Sequence, residues 1–177
     1  MREIIKDKAV VSDDWNVFKL PEGVTADAAE VPAGKTIVPL QVWLLQRPSL
    51  LTRLQQQHDL AVWFESDEEA QALADDVSLF DLLAVNFPKF SDGRGYSIGY
   101  TLRARLNFKG ELRAIGDVLR DQLFYMQRVG FNAFATLEDR NVHDALKGLS
   151  DFSESYQTAW DEKNPLFRRT ERNGANV

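Results

Sequence analysis

From residue 36 onward the chain alternates between short, nearly unbroken apolar runs and longer stretches whose apolar positions recur at helical spacing. The runs at 37–43, 60–64, 82–87, 111–115 and 131–136 have strand length and suit strands buried on both faces. Between them the spacing predicts helices over 48–57, 66–76, 96–106, 117–129 and 139–149, and a short one around 152–160. Pro48 is expected in the first turn of its helix. Ser66 and Glu69 stand at capping-box spacing, which gives the acidic stretch a structural reason. Strands alternating with helices predict an α/β fold: a mainly parallel five-stranded sheet with helices on both faces. Five strands are too few for an eight-stranded barrel, so an open sheet is expected. Ahead of this, 8–19 carries two apolar segments around Ser12, Asp13 and Asp14 and predicts an N-terminal β-hairpin or arm. Prolines and glycines make 21–35 a loop. The expected organisation is an arm and loop over 1–35, an α/β domain over 36–160 and a polar tail over 161–177. In that tail Trp160, Leu166 and Phe167 stand beside Arg168 and Arg169, a pattern for docking on a partner or for terminal disorder.

In a parallel sheet the loops after the strand C-termini share one edge, where ligands bind. That edge is expected to carry Gln46, Arg47, Glu65, Asp67, Asp92, Arg94, Gly116, Asp117, Glu138, Asp139 and Arg140.

Composition narrows the chemistry. The chain has 177 residues, 44% hydrophobic and 27% charged, as in a soluble globular protein. Its N-terminus has no apolar signal segment and no run is long enough to span a bilayer, so a cytoplasmic protein without membrane partners is expected. Without cysteine there is no disulfide, no thiolate nucleophile and no Cys-ligated cluster. His58 and His143 are the only histidines and lie far apart in sequence, so no metal site is expected. A net charge of −6 disfavours nucleic acid. The charge is uneven, however: residues 92–128 hold 7 basic and 4 acidic side chains, a stretch that attracts an anion or an acidic partner, or pairs internally.

The candidate chemistry lies in that stretch. Asp92, Gly93, Arg94 and Gly95 fall between a strand and a helix. Glycines there permit positive φ and close backbone approach, and a helix N-terminus offers unpaired N–H groups. With Arg94 and the Ser97 hydroxyl, the loop suits a carboxylate, phosphate, sulfite or sulfate; the alternative is a tight turn with Arg94 in solvent. Gly93, Gly95 and Gly99 are spaced one residue too long for the dinucleotide fingerprint, and no P-loop exists, so no nucleotide motif is recognisable and the cofactor stays unknown. Tyr96, Tyr100 and Arg103 share a helix face, either a stacking surface or a half-buried tyrosine face. Arg113 interrupts an apolar strand; it either binds ligand or pairs internally with Asp92, Asp117 or Asp121. Asp117 follows Gly116 where an N-cap is expected, and Asp121 with Gln122 could move a proton only with a second group beside them. The ligand-binding candidates are thus Asp92, Gly93, Arg94, Gly95, Ser97, Arg113, Asp117 and Asp121. No catalytic set emerges.

The same stretch carries a resemblance. The patterns F-x-D-G-R-G-Y-S at 90–97, L-R-A-R at 102–105, G-E-L-R-A-I-G-D-V-L-R-D-Q at 110–122 and R-V-G-F-N-A-F at 128–134 resemble the bacterial family called domain of unknown function nine-three-four. The resemblance implies an oxidoreductase connected with sulfite reduction in sulfate assimilation. It further implies an accessory partner of the sulfite reductase hemoprotein or of its electron donor. Two other readings stay open: an enzyme binding a small anion or phosphorylated cofactor at the strand edge, and a structural module that forms a homodimer.

Overall fold

A computed structural model describes residues 2–137, 140–152 and 155–169. Of the residues named above, Glu138 and Asp139 and the tail beyond 169 lie outside it. Eight strands form one mixed sheet. Strands β1 (Arg2–Lys6) and β2 (Ala9–Asp13) are antiparallel to each other, and β1 is antiparallel to β8 (Ala133–Phe134). The parallel part contains β3 (Asn16–Val17), β4 (Thr36–Pro39), β5 (Leu60–Phe64), β6 (Leu82–Phe87), β7 (Glu111–Gly116) and β8. The order across the sheet is β2-β1-β8-β7-β6-β5-β4-β3. The helices are α1 (Leu40–Gln57), α2 (Arg94–Ala104), α3 (Leu123–Val129), α4 (Val142–Lys147) and a last turn, α5 (Leu166–Arg169).

This corrects the expected fold. The sheet is not five-stranded and mainly parallel with helices on both faces; it is an eight-stranded mixed sheet curled into a half-barrel. The cause is strand order. From β4 to β8 each parallel strand lies beside its predecessor in sequence. A right-handed crossover repeated in one direction places every helix on the same side, whereas a doubly wound sheet needs a reversal. The larger core accordingly unites Val62, Leu83, Val85 and Leu112 of the sheet with Trp43, Leu102, Met126 and Ala145 from the four main helices. The opposite, concave face gathers Ile4, Ile37, Ala61, Trp63, Leu82, Ala84, Ile115 and Ala135, all from strands or their ends.

The curl follows from the connectivity. Strands β2 and β3 are the two edges of the sheet, yet only Asp14 and Trp15 separate them. Three residue steps reach about 11 Å at most. Laid flat, eight strands would hold those edges roughly 34 Å apart. The N-terminal strands are therefore part of the sheet, and residues 14–15 bridge its open side. The hairpin turn sits at Asp7 and Lys8, both with positive φ, rather than at Ser12–Asp14. Asn132 fixes it, its Nδ2 donating to Asp7 Oδ1 over 2.9 Å and its carbonyl accepting from Asp7 N over 2.8 Å.

Other boundaries also differ. The apolar run at 37–43 is shared: the strand ends at Pro39 and α1 begins at Leu40, with Pro48 inside the helix. Gln46 and Arg47 are consequently helix residues away from the strand edge. Gln46 Nε2 donates to the Ala26 and Ala29 carbonyls, tying down the 21–35 loop. Arg53 secures the same loop through the Pro32 and Gly34 carbonyls and pairs with Asp59. The region 66–76 holds only a short 3-10 turn at Ala70–Leu73, and the Ser66–Glu69 capping box does not form. Residues 155–160 are not helical; Trp160 N donates to the Arg128 carbonyl and Arg128 pairs with Asp161, so this segment lies against α3. Among the described residues no helix is long and apolar enough to cross a membrane.

Asp76 gives this scaffold a pH dependence. Its buried carboxylate accepts from Arg47 Nε and a second guanidinium nitrogen, each at 2.6 Å, and from Trp43 Nε1 at 3.0 Å. The Arg47 bonds, with help from Trp43, hold the carboxyl below its ordinary range. A depressed folded pKa means stability that is full above the unfolded value near 4 and lost as pH falls through the folded one. Asp76→Asn is expected to lower the urea midpoint at pH 7, with the gap to wild type narrowing below about pH 4. A gap that stays constant down to acid pH would contradict the assignment.

Candidate functional site

The predicted anion loop is occupied by its own residue. Gly93 precedes α2, and the Asp92 carboxylate accepts from Arg94 N at 3.1 Å, the position a bound anion would take at the start of the helix. Arg94 then closes on Asp92 with Nε at 3.0 Å and a terminal nitrogen at 2.7 Å, the latter also donating to Ser66 Oγ at 2.9 Å. Ser66 Oγ in turn donates to Asp92 at 2.7 Å. Arg94, followed by Ser66, drives the Asp92 carboxyl far below the ordinary carboxylate range. Gly95 serves packing rather than positive φ: a Cβ there would lie 2.8 Å from the Phe87 ring. Ser97 is exposed.

Asp117 is not a helix cap. The helix begins after it, and its carboxylate accepts from Phe90 N at 2.8 Å, while Gln122 Nε2 donates to the Phe90 carbonyl at 3.1 Å. Both polar groups of Phe90's main chain are thus held by the neighbouring β7–α3 loop. The Phe90 ring itself stays 49% exposed. Gln122 also bonds Tyr96, whose ring meets Phe87 at 5.3 Å and Tyr125 at 5.1 Å, both edge-on. Burial above all, then the charges of Tyr125 and Asp121, raises the Tyr96 phenol. Asp121 is exposed and lines a cleft of ≈ 260 Å³ with Arg120, Arg140 and Asp144, in which Arg120 is paired to Asp144 and Asp151.

Arg113 belongs to a different place. It is 3% exposed on the concave face, donating to Asp13 at 3.0 Å to each carboxylate oxygen and to Glu111 at 2.7 Å. Glu111 also pairs with Lys6 at 2.8 Å. The partners of Arg113 are therefore Asp13, 100 residues away in sequence, and Glu111, instead of Asp92, Asp117 or Asp121. Arg103 likewise leaves the expected tyrosine face: it is buried and donates to the Phe108, Gly110 and Gly130 carbonyls and to Asn132 Oδ1.

Residues 61–167, more than half of the chain, match the family described as Bacterial protein of unknown function (DUF934). The chain belongs to this family. No curated protein and no solved structure matches it. The family description names no activity.

In this DUF934 member the eight candidate residues therefore fall in three groups: the self-paired loop 92–97, the neighbouring loop of Asp117 and Asp121, and Arg113 inside the half-barrel. The first two adjoin through Phe90; the third does not join them. Among the described residues no cluster of three His, Cys, Asp or Glu could hold a metal ion. Sequence reasoning overlooked Asp13, Glu111 and Lys6, although Glu111 and Arg113 share one face of an apolar strand by period 2. It also overlooked the mouth of the half-barrel. There Arg2, Lys19 and Asn86 continue the inward-facing series Arg2–Ile4, Val17–Lys19 and Ala84–Asn86, and line a cavity of ≈ 470 Å³ with Val17, Ile115, Gly116 and Leu137.

Proposed function

We propose that this DUF934 protein is an accessory component of assimilatory sulfite reduction that works by docking on the sulfite reductase hemoprotein. The process comes from the family resemblance. The docking mode rests on one observation: an exposed phenylalanine whose N–H and carbonyl are both fixed by side chains of the next loop. Large apolar rings are ordinarily kept from water, and one held rigidly outward loses little freedom on binding. Tyr125, 59% exposed, and the half-buried Tyr96 extend the same face. The self-pairing of Asp92 with Arg94 favours this reading over anion chemistry at that loop.

The test is a pull-down with purified hemoprotein. Wild type is expected to associate, and Phe90→Ala with Tyr125→Ala to weaken association by at least roughly tenfold, the size of a binding hot spot. Because both rings are exposed, the double variant should unfold within about 0.5 kcal/mol of wild type. Lack of wild-type association, equal association of the variant, or association with the electron donor alone would overturn the proposal.

A further inference from the structure

We infer that the mouth of the half-barrel is a binding site for an organic oxyanion, with Arg2 and Lys19 as its anchors. The cavity lies at the C-terminal ends of the parallel strands, where inward-facing side chains meet loops, and its ≈ 470 Å³ is within the size range of small-molecule pockets. Two of its lining side chains are cations. Neither forms an ion pair with any described residue. That contrasts with the other inward cation cluster, where Lys6 and Arg113 meet Glu111 and Asp13. In a chain of net charge −6, two like charges facing one cavity without acidic partners repel each other, and an anion between them removes that repulsion.

The rest of the lining describes the ligand's other end. Val17, Ile115 and Leu137 give an apolar wall, and Trp63 on the inner face is held by its Nε1 bond to the Phe18 carbonyl at 3.0 Å. Asn86 is the remaining polar side chain of the lining; its Nδ2 donates to Glu65 Oε2 at 2.8 Å, which orients the amide. Gly116 is required beside it, since it has φ 94° and a Cβ there would collide with Asn86 Oδ1 and the Phe87 carbonyl. The site therefore suits a carboxylate or phosphate head carried on an apolar body. It is distinct from the Asp92–Arg94 loop and independent of docking through Phe90.

Phenyl phosphate, benzoate and inorganic phosphate distinguish the possible sources of that head group. Titration into the full-length protein, followed by calorimetry and by NMR of the Asn86 side-chain and Gly116 backbone amides, should give saturable binding of phenyl phosphate or benzoate. Inorganic phosphate should bind at least roughly tenfold more weakly for want of apolar contact. Arg2→Ala with Lys19→Ala should cost at least roughly tenfold in affinity, the loss expected for a charge-assisted hydrogen bond. Added salt should weaken binding by wild type. No saturable shift from either organic probe up to about 10 mM, or unchanged affinity in the double variant, would overturn the inference. The hemoprotein pull-down does not depend on either result.

Discussion

Arg113→Met is expected to destabilise the protein by about 3–5 kcal/mol, the cost of leaving one half of a buried ion pair without the other. In a chain of this size that corresponds to roughly 10 °C in melting temperature. Arg113 stands on β7 in the middle of the sheet, while Asp13 ends β2 at its edge. Their bond therefore crosses the concave side and holds the edge inward just before residues 14 and 15 bridge to β3. Glu111 keeps Lys6 when Arg113 is lost, but Asp13 keeps no cation of comparable burial. The second arm of the test removes the stranded charge: Asp13→Asn added to Arg113→Met should recover part of the loss. Equilibrium urea unfolding of both variants decides the matter. A loss below about 1 kcal/mol for Arg113→Met would mean that Asp13 is hydrated and that the pair does not close the sheet.

That pair also shows where reading the chain stops. Arg113 in an apolar strand is a legible signal, because a buried guanidinium must have a partner. The identity of the partner is not legible, since Asp13 is brought near only by the order of strands across the sheet. The same limit explains the error in fold. Leu60–Phe64 and Leu82–Phe87 are visible as strands because both of their faces are apolar. Both faces are apolar, however, whether helices cover each side or whether one face lines a curled interior. Periodicity reports burial and is silent about what does the burying.

Local ambiguity accounts for most other differences. Residues 37–43 form one apolar run, and nothing in it marks that Leu40 starts a helix. The hairpin turn at Asp7 and Lys8 lacks the glycine or asparagine that usually supplies positive φ, so its signal is weak. The loop around Asp92 was legible as a helix entrance with charge around it, and α2 does begin there. Its occupant was not, because an aspartate two residues ahead of an arginine can face a ligand or face that arginine, and only the side-chain geometry decides.

Arg103→Met is expected to have an effect of similar size, about 3–5 kcal/mol, by a different route. Arg103 has no carboxylate partner in contact. Its guanidinium spans four oxygens: the Gly130 carbonyl at 2.8 Å, Phe108 at 2.8 Å, Gly110 at 2.9 Å and Asn132 Oδ1 at 2.9 Å. It stands 5.3 Å from both the Phe108 and Trp160 rings. Burial lowers the guanidinium pKa to about 10, which leaves it charged at neutral pH. One side chain thereby joins the end of α2, the 105–110 loop and the turn after α3, where Gly130 with φ 115° packs beneath its aliphatic stem. Methionine replaces the stem and none of the donors, so several carbonyls lose partners at about 1–3 kcal/mol for each that stays buried. Lysine restores the charge but not the planar fork, and should rescue little. Hydrogen exchange provides the specific readout: in Arg103→Met, protection should fall first at the Phe108 and Phe131 amides, which donate to the Leu102 and Met126 carbonyls beside it. Full rescue by Arg103→Lys, or protection that falls uniformly across the sheet, would contradict the assigned role.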